Sequence, residues 1–183
     1  MRSICVFCGS SPGNHPEYLQ VARDTGRLIA QRQLTLVYGG GKVGLMGAVA
    51  DAALAEGGRV VGVIPKMLLD LEVGHAGLSE LRVCTTLAER KLIMGDLSDA
   101  FLTLPGGTGT MDELFEAWSW TQLGLNRKPS GLLNHGGYYD GLIQFLDHSV
   151  TEGFLRPRYR SILLVNSQIE PLLDQLQAAS PSP

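Results

Sequence analysis

Short apolar runs alternate with segments of helical period along nearly the whole chain, and nothing else in the sequence restricts the fold so strongly. Residues 2–8, 34–38, 59–65, 81–85, 99–104, 130–134 and 161–165 read as strands. Helical segments fall between them at 16–32, 45–58, 87–98, 110–124, 138–151 and 167–178, and residues 66–80 are less regular. Most of the strands are apolar throughout rather than alternating, as in strands buried on both faces. The expected class is therefore α/β, a mostly parallel sheet with helices on both faces. No repeat, linker or shift in composition divides the chain, so residues 1–178 read as one domain and 179–183 as a disordered tail.

In such sheets ligands bind beyond the carboxyl ends of strands, near a switch in strand order. Glycine turns fall there: after strand 1 at Gly9, after 34–38 at Gly39 to Gly44, and after 99–104 at Gly106 to Gly109. Residues 39–44 match G-x-G-x-x-G, but the next strand ends in "VIPK" without the carboxylate that a dinucleotide ribose needs. No G-K-[ST] follows, so a P-loop is also excluded. Free N–H groups at a helix start still favour an anion, and glycine lets the backbone approach it. Gly9, Ser10, Gly40, Gly41, Gly107, Thr108, Gly109 and Thr110 are thus candidate phosphate ligands. The bland alternative is that these glycines only make tight strand-to-helix turns.

The stretch "FLTLPGGTGTMDELFEAWSW" (101–120) carries most of the information about a site. Thr110-Met111-Asp112-Glu113 fits the capping box S/T-x-x-E, with Thr110 as N-cap and Glu113 reaching back. That box explains both residues but neither Thr108 nor the glycines before it. Upstream, Arg90 and Lys91 stand just inside a helix N-terminus, where the helix dipole disfavours cations. They call for a compensating anion, either a carboxylate or a ligand phosphate, unless they are a plain solvated pair. Leu114, Ala117 and Trp118 form one apolar stripe of the following helix, and Trp120 and Leu123 continue the opposite side. A partner subunit or a deep position in the chain's own core would explain burial on two sides.

Other function classes receive little support. The formal net charge of -3 gives no electrostatic footprint for nucleic acid. No apolar run approaches the roughly 18 residues of a membrane span, and the N-terminal run is too short for a secretory signal, so a cytoplasmic protein is expected. Cys5 and Cys8 form a C-x-x-C but lie in a strand, where positions three apart face opposite ways. The redox form of that motif needs a thiol at a helix N-terminus instead. The histidines at 15, 75, 135 and 148 have no zinc-site spacing, so no metal is expected.

Residues 105–113, "PGGTGTMDE", resemble the P-G-G-x-G-T-x-x-E motif of the LONELY GUY (LOG) family, cytokinin riboside 5'-monophosphate phosphoribohydrolases once labelled lysine decarboxylases. "CVFCGSSPG", "LVYGGGKVGLMGAVADAAL", "ERKLIMGDLSDAFLTLPGG", "WSWTQLGLNRKPSGLLN", "GYYDGLI" and "EGF" resemble the family in family order, over roughly residues 3 to 165. The resemblance implies a Rossmann-like three-layer fold and a homodimer with active sites near its interface. It implies hydrolysis of the N-glycosidic bond of adenosine 5'-monophosphates, N6-modified or plain, to free base and ribose 5-phosphate. No cofactor is implied. The catalytic pair carries over to Arg90 and Glu113, and substrate-binding positions to Glu72, Arg90, Lys91, Gly106, Gly107, Thr108, Gly109, Thr110, Glu113 and Ser119. Leu87-Ala88 stands where many members have Met-His, Thr108 where plant members have Tyr, and Ser119 replaces a common Thr, which leaves the preferred base open.

The chemistry agrees with the residues. Cleaving a ribosyl C–N bond develops oxocarbenium character, which a carboxylate near the sugar stabilises while it orients water. Two rivals remain: a related fold that carries a nucleotide or molybdenum cofactor without cleaving it, and a pyridoxal-phosphate decarboxylase. The second needs a Schiff-base lysine, and Lys42, Lys66, Lys91 and Lys128 sit in no such pattern.

Overall fold

The computed structural model describes residues 1–70 and 74–181. Seven strands form a single sheet: β1 (Ser3–Phe7), β2 (Thr35–Tyr38), β3 (Val60–Pro65), β4 (Glu80–Cys84), β5 (Ala100–Thr103), β6 (Ser130–Leu133) and β7 (Leu163–Asn166). Their order is β4-β3-β2-β1-β5-β6-β7 and every neighbouring pair is parallel. The helices are α1 (Pro16–Gln31), α2 (Gly44–Ala55), α3 (Lys66–Leu69), α4 (Leu87–Asp96), α5 (Thr108–Gln122), α6 (Asp140–Thr151), α7 (Pro157–Arg160) and α8 (Ile169–Ala179), with a 3₁₀ turn at His135–Gly137. This is the expected three-layer α/β arrangement. Beyond the carboxyl ends of β1 and β5, where the strand order reverses, the loops after Phe7 and Thr103 lie side by side.

Alternation along the strands divides the core between the two faces. Ile4, Val6, Cys8, Leu36 and Tyr38 pack with α1, α2 and α8, whereas Cys5, Phe7, Val37, Val61, Val63 and Phe101 pack with α4 and α5. The two cysteines of the C-x-x-C therefore belong to opposite core layers. Both are buried with free thiols, and burial pushes both thiols up, away from the reactive thiolate.

Three expectations need correction. Helix α5 begins at Thr108, two residues early, with Gly107 as N-cap and no side-chain cap, so Thr110 is not the capping residue and the box at 110–113 does not form. The other T-x-x-E caps α4 in a shifted form: the N-cap Thr86 Oγ1 accepts from the Glu89 N–H at 3.1 Å, and Glu89 Oε2 reaches past the N-cap to accept from the Thr85 N–H at 2.7 Å. At the other end, α8 runs through Ala179, one residue into the expected tail, whose last two residues lie outside the described ones. On α5, Leu114, Ala117 and Trp118 are buried as expected, and Trp120 packs edge-on against Phe101. Leu123 is not buried: it is 71% exposed at the C-terminal end of α5.

Candidate active site

Arg90 lies in the first turn of α4 and is buried. Its side chain runs under the carboxyl ends of β2 and β3, where Nε donates to the Val63 carbonyl at 3.0 Å and Nη2 to the Gly39 carbonyl at 2.7 Å. A Cβ on Gly39 would lie 1.9 Å from Nη2, so this glycine exists to seat the guanidinium. Arg90 is 8% exposed. Its remaining nitrogen, Nη1, stands 3.9 Å from Glu113 Oε1, an ion pair too long to be a hydrogen bond.

Glu113 reaches this place from the second turn of α5. Burial raises its carboxyl from 4.5 to about 7, although Arg90 and Lys91 pull it down. At neutral pH the group is thus shared between its two protonation states, as suits a group that must accept or hold a proton.

The third glycine turn supplies an anion seat. Met111 N–H donates to the Gly107 carbonyl, which leaves the N–H groups of Thr108, Gly109 and Thr110 outside the helical ladder. Gly106 is a packing glycine: a Cβ there would meet Thr110 Oγ1 at 2.1 Å and the Gly9 nitrogen at 2.9 Å. Gly107 and Gly109 are different, because a Cβ on either would meet nothing within 4 Å. The room beside them is a cavity of about 310 Å³. Gly9, Ser10 and the start of α5 line one side, Arg90 and Glu113 the next, and Met46, Leu68 and Leu87 form an apolar wall. A second cavity of about 240 Å³, between Tyr18 and Tyr138, adjoins it at Gly9, Ser10 and Gly107.

The fold thus gathers Gly9, Ser10, Arg90, Gly107, Thr108, Gly109, Thr110 and Glu113 around one space, with Gly106 directly behind. Other candidates are not brought there. Gly40 and Gly41 do not line this cavity, and the helix amides after them are already used: the Leu45 and Met46 N–H groups both donate to the Gly9 carbonyl. The Gly40 carbonyl accepts from His75 N–H, and the Gly41 carbonyl accepts from the Tyr38 hydroxyl. Lys91 does not line the cavity, and its Nζ contacts Asp112 Oδ2 at 2.9 Å and Glu116 Oε2 at 2.7 Å. Ser119 is exposed, six residues beyond Glu113 and so about 9 Å further along the helix. Glu72 lies outside the described residues.

The anions that the Arg90–Lys91 pair calls for are therefore protein carboxylates on α5. Of the apolar wall, sequence reasoning marked Leu87 only as a departure from the family pattern and missed Met46 and Leu68, for which no sequence pattern gives a signal. It also missed the seat that Gly39 makes, although the glycine itself was visible.

Three comparisons bear on this site. A family model described as "Possible lysine decarboxylase" matches residues 46–176. The cytokinin riboside 5'-monophosphate phosphoribohydrolase of Rhodococcoides fascians is 48% identical over 170 residues, covering 92% of this chain and 86% of that protein. LOG7 of Arabidopsis thaliana, of the same name, is 44% identical over 180 residues, covering 98% and 83%. In fold, an X-ray structure from a structural genomics consortium matches with a TM-score of 0.75 at 25% identity, covering 97% of this chain and 99% of that one.

Proposed function

Because the chain belongs to the LONELY GUY (LOG) family of cytokinin riboside 5'-monophosphate phosphoribohydrolases, we propose that its cavity hydrolyses the N-glycosidic bond of adenosine 5'-monophosphates, N6-modified or plain. The products are free base and ribose 5-phosphate. The observation that carries the reading is one cavity that joins the open N-terminus of α5 to the buried Arg90–Glu113 pair.

In this reading the 5'-phosphate rests on the N–H groups of Thr108, Gly109 and Thr110, where the helix dipole favours an anion. The ribose then lies over Glu113, one turn further on, and the base meets the wall of Met46, Leu68 and Leu87. As the C–N bond breaks, its electron pair leaves with the base and positive charge develops on the sugar. Ionised Glu113 stabilises that charge and takes a proton from the water whose oxygen bonds to the anomeric carbon, and the passage of that proton to the departing base leaves free base, ribose 5-phosphate and an ionised Glu113. Arg90 has two of its three nitrogens committed to backbone carbonyls, so its part is to hold Glu113 in place and favour its ionised form.

The chain also forms an isologous homodimer in this proposal, and it works in the cytoplasm. Leu123 and Leu125 are 71% and 72% exposed beyond the end of α5, and Leu92 on α4 is 57% exposed, which supports a partner against that side. Among the described residues, no helix is long and apolar enough to cross a membrane. Sedimentation at micromolar concentration tests the dimer, and a monomer there refutes it.

The decisive experiment incubates pure protein with AMP or isopentenyladenosine monophosphate and follows free base by chromatography, with the unphosphorylated riboside as control. Release from the monophosphates alone is expected. Bound nucleotide without release would instead make the protein a carrier and leave Glu113 without a catalytic task.

A further inference from the structure

Lys91 follows Arg90 on α4, so it projects about 100° around the helix from it. It meets α5 rather than the cavity. Its ammonium sits between Asp112 Oδ2 at 2.9 Å and Glu116 Oε2 at 2.7 Å, with the side chain 16% exposed. Asp112 immediately precedes Glu113, and Glu116 lies close to one turn beyond it. Among the described residues neither carboxylate has another cationic partner.

We propose that Lys91 is a positioning residue: its two ion pairs clamp α4 to α5 on both sides of Glu113 and set how that carboxyl sits and ionises, without contact to the substrate. The charged and titratable groups that face Glu113 are Arg90 and Lys91 from α4, Asp112 and Glu116 from its own helix, and the thiols of Cys5 and Cys8 from the β1 side. Burial holds both thiols protonated, so they add no charge. Lys91 itself is partly desolvated, which works against its charge, but Glu116 and Asp112 overcome this and raise it. Removing the ammonium takes away one attraction on Glu113 and uncovers two negative neighbours. Both changes favour the protonated carboxyl.

A lysine that bound the substrate phosphate would have to abandon two short ion pairs to do so. The clamp therefore predicts a different kinetic signature from a phosphate ligand. In Lys91→Gln, the acid limb of the pH–rate profile should move to higher pH, kcat at pH 7 should fall several-fold, and KM should stay within about twofold. Lys91→Arg, which keeps both ion pairs within reach, should restore the profile. A KM raised about tenfold with an unmoved limb would make Lys91 a substrate ligand instead. Unchanged kinetics would make the clamp inert. Either result overturns the proposal.

The kinetic arm rests on the hydrolase reading. A second arm does not: the Glu113 carboxyl is titrated by carbon-13 NMR in the resting wild-type and Lys91→Gln proteins. A higher midpoint in the variant supports the clamp even if the wild type releases no base, which would sink the hydrolase reading alone. An equal midpoint overturns the clamp whatever the turnover.

Discussion

Glu113→Gln should make this protein more stable at alkaline pH while it abolishes base release. The carboxyl moves from 4.5 to about 7 on folding, because burial penalises its ionised form. A raised folded value means that the folded chain holds more protons than the unfolded chain between those limits. Stability therefore falls as pH rises through that window and stays reduced above it. At 1.36 kcal/mol for each pH unit, the cost in the wild type at pH 8 is about 3 kcal/mol. That figure already includes the attraction of Arg90, which only partly offsets desolvation. Glutamine has nearly the shape of the protonated acid and never ionises, so it removes the cost. For a chain of this size, about 3 kcal/mol corresponds to a Tm increase of roughly 6–12 °C. Thermal unfolding of both proteins at pH 5 and pH 8, at one protein concentration, reads it directly. The expected gap is small at pH 5 and large at pH 8. A variant that is less stable than the wild type at pH 8, or a gap independent of pH, would refute the claim that Glu113 is held against its ionised state.

The same geometry makes further demands. Activity of the wild type should rise with pH through about 7, since the working form of Glu113 is the carboxylate, and a rate that falls across that range would assign it an acid's role. Arg90→Lys should lose turnover despite keeping the charge, and should cost about 1–3 kcal/mol in a urea titration, because one ammonium cannot serve both the Val63 and Gly39 carbonyls. Gly39→Ala should cut kcat by displacing the guanidinium, whereas Gly107→Ala, with nothing within 4 Å of the added methyl, should melt like the wild type and raise KM. Thr86→Ala should lower stability by about 1 kcal/mol, read as the urea midpoint, with little change in KM.

The sheet was legible because the rule that governs it is local. A strand buried on both faces must be apolar throughout, and runs such as "RVVGVIP" announce that without reference to anything distant. Edge strand β4 was the weakest signal for the same reason: Leu81, Arg82 and Val83 are exposed, and nothing requires them to be uniformly apolar. Helix starts were less legible. T-x-x-E occurs at both 86–89 and 110–113, and only the first caps its helix through side chains. At the second, Gly107 caps the helix with its backbone alone, so the true start leaves no side-chain mark.

The two glycine turns show where local reading ends. Both follow a strand, open a helix and present the same residue type, yet only the one at 106–109 leaves its amides free. The other spends its helix amides on the Gly9 carbonyl and its glycine at 39 on making room for Arg90. A glycine in the sequence reports that something comes close to the backbone. Whether that something is a ligand or another part of the chain depends on a residue 51 positions away, as Gly39 and Arg90 demonstrate. The Arg90–Lys91 pair follows the same logic. Helix electrostatics correctly demanded an anion beside these cations, but the demand is met by Glu113, Asp112 and Glu116 on α5, which packing alone brings there. Both cations are therefore matched by carboxylates of the chain itself, which leaves the open end of α5 as the part of the cavity wall whose backbone donors have no partner in the helix.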